Sequence, residues 1–197
     1  MINPTSAQLV QLAWDVLPAG DRRLLEQIGA SRWEIVAEPL GVAVDARLRS
    51  AGHNGHTPGH IQADNAALGM WIRELRLVLI NEKHQALIDT DQSTREALLT
   101  WLAWHEWGHA LSIEGPSAHD PAEGDRLLAL APDGIRERIR RAHYPRRERI
   151  HELIAETYAL LMREKIEGRS GRPSWLPNEI YNLMARVASA SHSEGSR

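Results

Sequence analysis

Residues 101–112 read WLAWHEWGHALS, and this stretch carries the most specific chemical signal in the chain. It contains the pattern His-Glu-x-x-His at His105, Glu106 and His109. On an α-helix, residues four apart lie on the same face, so the two imidazoles can point at one spot. Two imidazoles at this spacing supply half of a zinc site, and Glu106 can act as a general base on water held at the same metal.

The stretch belongs to a helix that the sequence predicts to be long and buried. Ser93 and Glu96 have the spacing of a capping box, which predicts the start of the helix, and the Gly-Pro pair at 115–116 predicts its end. Apolar residues occur on almost every side of this helix, as is typical of a central one. Polar groups inside it need partners. The alternative to a metal site is a pair of core histidines satisfied by hydrogen bonds.

Length and composition indicate an ordinary globular protein. The chain has 197 residues, of which 43% are hydrophobic and 25% charged, and this favours one domain with short appendages. We expect an N-terminal helical segment at 1–30, a main domain at 31–190 and a flexible tail at 191–197.

Charge and cysteine content exclude several classes of function. The formal net charge of −3 gives no general case for nucleic-acid binding. Without cysteine there are no disulfides and no thiolate ligands, so a metal must be bound by His, Asp or Glu. The first residues lack the features of a signal peptide, and the longest apolar run is too short to span a bilayer. We therefore expect a cytoplasmic protein without a membrane partner; its oligomeric state is not indicated.

The order of the elements predicts an α+β fold. Helices at 5–17 and 21–28 come first. Strands are predicted at 33–37 and 41–48, joined as a hairpin, then at 70–81 and 86–89. The His-Glu-x-x-His helix follows, and then helices at 123–131, 133–143, 146–167 and 177–190. The sequence thus predicts an antiparallel or mixed sheet packed on the metal-site helix, in a small domain flanked by helices at both ends.

A third metal ligand is expected because catalytic zinc usually takes three protein ligands. Glu152 is the preferred candidate, since its predicted helix has carboxylates and alanines on one face and small residues allow another helix to approach. Glu156, four residues on, would then accept an N–H from a ligand imidazole. His119 is the alternative third ligand, although nothing in the sequence positions it.

Two further groups of polar residues are open to more than one interpretation. His53, His56 and His60 lie in a Gly-rich loop and suggest a second metal site, but loop histidines are more commonly exposed to solvent. Seven arginines occur in 135–149 and could meet nucleic acid or an acidic substrate, although such a run is more often a solvated helix face.

The pattern resembles the ImmA/IrrE-type zinc metallopeptidases. The resemblance covers about half of the chain and is carried by His105, Glu106, Gly108, His109, Glu152, Ala155, Tyr158, Ala159, Leu161 and Met162. It implies a small zincin fold, zinc held by two histidines and a glutamate, and a glutamate base. Members often cleave or inactivate a helix-turn-helix repressor. This chain departs from the usual pattern at Glu156 and Arg163.

The expected function is therefore that of a zinc-dependent endopeptidase acting on a protein or peptide substrate. An extended substrate would pair with an edge strand. Candidate oxyanion donors are Tyr144, His143, His151 and Tyr158, among which the sequence does not choose. The rival is a regulatory protein that retains the fold and binds its partner without cleaving it. Intact Glu106 favours the enzyme, since a binding protein has no need of a base. A DNA-associated helical protein with structural histidines is the third interpretation, and the net charge disfavours it.

Overall fold

The structure is a computed structural model of the whole chain, and it describes residues 3–53, 67–114 and 121–189. In chain order the elements are α1 (Ser6–Asp15), α2 (Ala19–Gln27), β1 (Trp33–Val36), α3 (Leu40–Ser50), β2 (Gly69–Ile72), β3 (Leu77–Asn81), α4 (Gln85–Ile88), α5 (Gln92–Glu114), α6 (Pro121–Leu130), α7 (Asp133–Arg141), α8 (Arg149–Ile166) and α9 (Asn178–Ser189). The predicted α+β class is confirmed, with helix predominating.

The sheet of the described residues has three strands in the order β1-β3-β2 and is mixed. β1 runs parallel to β3, with Trp33 opposite Val78, and β2 runs antiparallel to β3, with Trp71 opposite the same residue. The central position of β3 explains its sequence, LVLIN, because a strand covered on both faces can be apolar throughout.

Two apolar cores lie on the two faces of the sheet. Val78 and Ile80 face the larger core, which contains α1, α2 and the helices from α5 onward. Leu77 and Leu79 face a smaller core that α3 covers. Since successive side chains of a strand point to opposite faces, this alternation follows directly from the sequence of β3.

The prediction of a strand at 41–48 is wrong, because this stretch lies in α3. Leu40, Ala43, Val44 and Leu48 are buried at helical spacing, whereas Val42 is 57% exposed. The apparent alternation of apolar residues was therefore misleading. The helix also has a topological reason: parallel strands such as β1 and β3 need a long crossover connection, which a hairpin cannot supply.

The predicted strand at 70–81 is two strands instead of one. The chain turns through a short 3₁₀ segment, Arg73–Leu75, and Arg76 takes the left-handed conformation with a φ of 48°. This turn makes an antiparallel pair of β2 and β3. The predicted strand at 86–89 is also wrong, because 85–88 form α4, whose first turn is capped by the His84 imidazole at 3.1 Å from the Ala86 N–H.

The start of α5 differs slightly from its predicted capping box. The Asp91 carboxylate accepts the backbone N–H of Thr94 at 3.0 Å, so Asp91 occupies the capping position in place of Ser93. Among the described residues, no helix has the length and apolar character that crossing a bilayer requires.

The N-terminal helices pack onto the helices of the metal-site motif. The Trp104 indole N–H donates to the Ala13 carbonyl at 3.0 Å, and the rings of Trp14 and Trp107 meet edge to face at 5.1 Å. In addition, the Tyr158 hydroxyl donates to the Asp21 carboxylate at 2.9 Å. These contacts tie α1 and α2 to α5 and α8.

We expect Tyr158→Phe to lower the free energy of unfolding by about 1–3 kcal/mol near neutral pH, because it leaves the partly buried carboxylate of Asp21 without its donor. Burial raises the pKa of Asp21 above 3.8, whereas the Tyr158 hydrogen bond lowers it. The variant should therefore raise this pKa further.

A raised carboxyl pKa in the folded state destabilises the protein as pH rises above the value in the unfolded chain. The loss should accordingly be larger at about pH 7 than at about pH 3, where Asp21 is protonated in both states. Urea unfolding at both pH values measures it. Tyr181→Phe is the matched control, since the Tyr181 hydroxyl has no hydrogen bond within the described residues; an equal loss in both variants would contradict the account.

Candidate metal centre

The centre is built where α5 and α8 approach unusually closely. A Cβ atom placed on Gly108 would lie 2.7 Å from the Ala155 Cα atom and 3.2 Å from the Tyr158 Cβ atom. Any side chain at 108 would therefore push the helices apart. His109 follows Gly108 directly, and Glu152 lies one turn before Ala155 on α8, so the close contact brings these side chains together.

His105, His109 and Glu152 form a group that could hold a metal ion. The two imidazole Nε2 atoms lie 3.0 Å apart. The Glu152 carboxylate oxygens lie 3.7 Å from the His105 Nε2 atom and 3.3 Å from the His109 Nε2 atom. One ligand atom of each residue lies within 4.8 Å of those of the other two, so the structure brings together the three residues that the sequence predicts as ligands.

Burial prepares both histidines to act as ligands. It lowers the pKa of His105 to about 3, with a further contribution from the charge of Arg138, and it lowers the pKa of His109 well below its usual value. Both imidazoles are therefore neutral near pH 7. A neutral imidazole has a free lone pair, which metal binding requires.

Burial has the opposite effect on the carboxyl of Glu152. Its pKa lies well above the usual 4.5 because of desolvation and of the nearby charges of Glu106 and Glu156, and a hydrogen bond from Tyr144 opposes this shift. A buried carboxyl beside two lone pairs is unfavourable in its charged form. A cation at the centre would stabilise that form.

Glu106 lies on the side of the centre that faces strand β2. It is 4% exposed, and its carboxylate accepts the backbone N–H of Trp71. A Cβ atom on Gly69 would lie 3.0 Å from the Glu106 Oε1 atom, so the absence of a side chain at 69 leaves room for the carboxylate. Burial raises the pKa of Glu106 to about 8.

A cleft of about 450 Å³ opens over these groups. His105, Glu106 and Glu152 line its floor. Its walls come from β2 and the residues before it, from α5, from α7 and the segment that follows it, and from α8: Ala67, Leu68, Gly69, Trp101, Leu102, Arg138, Ile139, Ala142, Tyr144 and Glu156. A ligand in this cleft would therefore contact two of the candidate metal ligands, His105 and Glu152, together with the candidate base.

Glu156 has a different partner from the one predicted. Its carboxylate accepts hydrogen bonds from Arg138, at 3.1 Å from Nε and 2.6 Å from Nη2, and not from an imidazole. The buried Nδ1 atom of His105 has no hydrogen-bond partner within the described residues. The prediction failed because the sequence did not show that α7 places an arginine against this face of α8.

The four candidate oxyanion donors lie in different parts of the structure. Tyr144 lines the cleft and donates a hydrogen bond to Glu152. His151 lies behind His109, with its Nδ1 atom 3.1 Å from the Ser112 hydroxyl. His143 is exposed and lines a separate cavity, and the Tyr158 hydroxyl is bonded to Asp21 on α2. Tyr144 is therefore the best placed, because it is the one of the four that lines the cleft.

Several predicted features lie outside the described residues. These are His119, the alternative third ligand, together with His56, His60 and the tail at 191–197. His53 is described and is exposed to solvent.

Three contributors to the centre have no distinguishing signal in the sequence. Gly69 and Trp71 reach Glu106 from a strand whose start was predicted one residue later, and only the register of the sheet reveals their proximity. Arg138 was one of seven arginines in a run, and nothing local distinguished it from the others. Arg136 and Arg141, for comparison, pair with acidic residues of their own helix, Asp133 and Glu137.

Comparison of the chain with protein-family models, with curated proteins and with solved structures finds no match in any of the three. The interpretation of the centre therefore depends on its own geometry and on the residues of the motif.

Proposed function

We propose that this protein is a zinc-dependent endopeptidase that hydrolyses peptide bonds of a protein substrate. The observation that supports this most strongly is the grouping of His105, His109 and Glu152, whose ligand atoms lie within 4.8 Å of one another, with the buried carboxyl of Glu106 lining the cleft that His105 and Glu152 also line. Three ligands from the protein and a base next to them are the elements of a hydrolytic metal site.

The ligand atoms suit zinc in number, type and spacing. Ligands about 2.0–2.1 Å from a tetrahedral zinc ion lie about 3.3–3.4 Å from one another. Here the two Nε2 atoms lie 3.0 Å apart, one Glu152 oxygen lies 3.3 Å from the His109 Nε2 atom, and the other Glu152 oxygen lies 3.7 Å from the His105 Nε2 atom. Two nitrogens and one oxygen also suit divalent iron, but a dedicated carboxylate base favours hydrolysis. When bound, zinc would supply a Lewis acid that polarises a carbonyl and makes water a stronger nucleophile near neutral pH.

The proposed steps use two side chains of the cleft, Glu106 and Tyr144, and the backbone N–H of Trp71. As a carboxylate, Glu106 accepts a proton from the water that attacks the scissile carbonyl carbon. When the C–N bond breaks, Glu106 returns that proton to the leaving nitrogen. The Trp71 N–H orients the carboxylate, and the Tyr144 hydroxyl is the candidate donor to the carbonyl oxygen as charge develops on it.

Strand β2 supports an extended peptide as the substrate. It is an edge strand of the sheet within the described residues, and its first residue, Gly69, lines the cleft. An extended segment could add to such an edge through main-chain hydrogen bonds and present its carbonyl to the centre. By the resemblance to ImmA/IrrE-type metallopeptidases, the substrate would be a regulatory protein such as a repressor.

The test of this proposal is cleavage of a mixture of unstructured peptides by protein reconstituted with zinc. Products identified by mass spectrometry should disappear on chelation and return when zinc is added back. If zinc-loaded protein cleaves nothing but captures a partner equally well with and without Glu106, the non-cleaving regulatory protein becomes the better explanation.

Metal binding should release protons. Both imidazoles are neutral near pH 7, whereas Glu152 has a strongly raised pKa and Glu106 one of about 8. A cation at the centre favours the carboxylate forms, so affinity for zinc should increase as pH rises from about 6 to about 8.

Calorimetry in two buffers with different ionisation enthalpies measures the number of protons released. We expect about one or two per zinc ion, and fewer in Glu106→Gln, which removes one of the two carboxyl groups. Binding that releases no protons and does not change with pH would contradict this description of the centre.

A further inference from the structure

Arg138 is the one basic side chain, apart from histidine, that lines the cleft within the described part of the chain. It extends from α7 toward α8, and its side chain is 51% exposed, whereas that of its partner Glu156 is 7% exposed. The Glu156 end of this ion pair is thus buried, whereas the Arg138 end is accessible to a ligand. The charge of Arg138 reaches His105, whose pKa it helps to lower, so the guanidinium lies near the metal centre.

The hydrogen bonds of Arg138 leave part of the guanidinium available. Glu156 occupies Nε and one side of Nη2 in a bidentate arrangement. A guanidinium carries five N–H donors in a planar fork. Both hydrogens on Nη1 and the second one on Nη2 therefore remain, and Nη1 has no partner among the described residues.

We propose that Arg138 forms a carboxylate-binding subsite in this cleft, with Glu156 holding the guanidinium in place. The remaining Nη1 and Nη2 hydrogens form a second fork, and a carboxylate is the planar acceptor that fits two parallel N–H donors. The carboxylate would belong either to an acidic side chain of the substrate or to the C-terminus of a peptide. The inference rests on the proposed function only in treating the cleft as the substrate site.

Binding of small probes tests the subsite without depending on catalysis. The probes are N-acetyl-aspartyl amide, which carries a side-chain carboxylate, N-acetyl-alanine, which carries a C-terminal one, and N-acetyl-alanine amide, which carries none. Calorimetry on zinc-loaded protein should give at least about tenfold tighter binding for one of the two acids than for the amide. The acid that binds more tightly identifies the source of the carboxylate.

Three variants of the full chain test whether this preference for an acid comes from Arg138. Arg138→Gln should remove the preference, whereas Arg140→Gln, an equal change of charge on the same helix outside this cleft, should retain it. Arg138→Lys keeps the charge without the fork and should lose most of the preference; it also serves if Arg138→Gln does not fold.

Three outcomes would overturn the proposal. The first is equal binding of acids and amide to the wild-type protein. The second is a preference that persists in Arg138→Gln, which would mean that the probes bind through the metal. The third is full retention in Arg138→Lys, which would mean that charge alone suffices. Because no cleavage is measured, failure of the peptidase proposal would not be mistaken for failure of the subsite.

Discussion

Glu106→Gln should lower peptidase activity by at least about 100-fold while the protein keeps its zinc. A positioned general base contributes about 10²–10⁴ to the rate, and an amide cannot take the proton. Glu106 is 4% exposed, and its carboxylate accepts the Trp71 N–H. Glutamine has nearly the same shape, and its amide oxygen can accept the same N–H, so the fold should tolerate the substitution. The specificity constant on a cleaved peptide, measured with zinc content in the same samples, checks this.

Glu96→Gln is the matched control, because it makes the same chemical change on α5 far from the cleft. It should retain wild-type activity. Full activity in Glu106→Gln would show that the proposed mechanism is wrong. Loss of zinc together with activity would show instead that Glu106 is needed to build the centre.

Gly108→Ala should destabilise the protein, although the same substitution usually stabilises a helix. In an exposed helix, replacing Gly by Ala stabilises by roughly 1 kcal/mol. At Gly108 the added Cβ atom would meet the Ala155 backbone at 2.7 Å, so α5 and α8 must separate. Overpacking of this kind typically costs about 1–3 kcal/mol. Zinc affinity should fall as well, because Glu152 would move away from the histidines.

Gly20→Ala is the control for Gly108→Ala, since a Cβ atom on Gly20, also in a helix, would have no atom within 4 Å. Urea unfolding should give a neutral or slightly stabilising change for Gly20→Ala and a clear loss for Gly108→Ala. If the two variants change stability alike, α5 and α8 do not pack as described.

The local part of the candidate site could be predicted from the sequence. His105 and His109 share a face in any fold in which this stretch is helical, because four residues make about one turn. Glu152 was predicted from the small residues on its helix, and the close contact of Gly108 with Ala155 is the physical basis of that prediction. Both inferences needed only helix geometry and side-chain size.

Features that depend on tertiary contacts were harder to predict. The valines of α3 have high strand propensity, and only the burial of Leu40, Ala43 and Leu48 under the sheet makes the helix the better solution. Glu156 was predicted to bind an imidazole. Its arginine partner lies on another helix, 18 residues earlier in the chain, so no local pattern indicates the contact. Tyr158 was likewise predicted as a candidate oxyanion donor, but its hydroxyl bonds to Asp21, on a helix that is distant in sequence.

The metal content of the purified protein, measured by elemental analysis, tests the central claim most directly. Wild-type protein, Glu152→Ala and His119→Ala should be compared after incubation with zinc and removal of the excess. The account predicts about one zinc per chain in the wild type and in His119→Ala, and none in Glu152→Ala. Zinc retained in Glu152→Ala and lost in His119→Ala would contradict it, as would absence of bound metal from the wild-type protein.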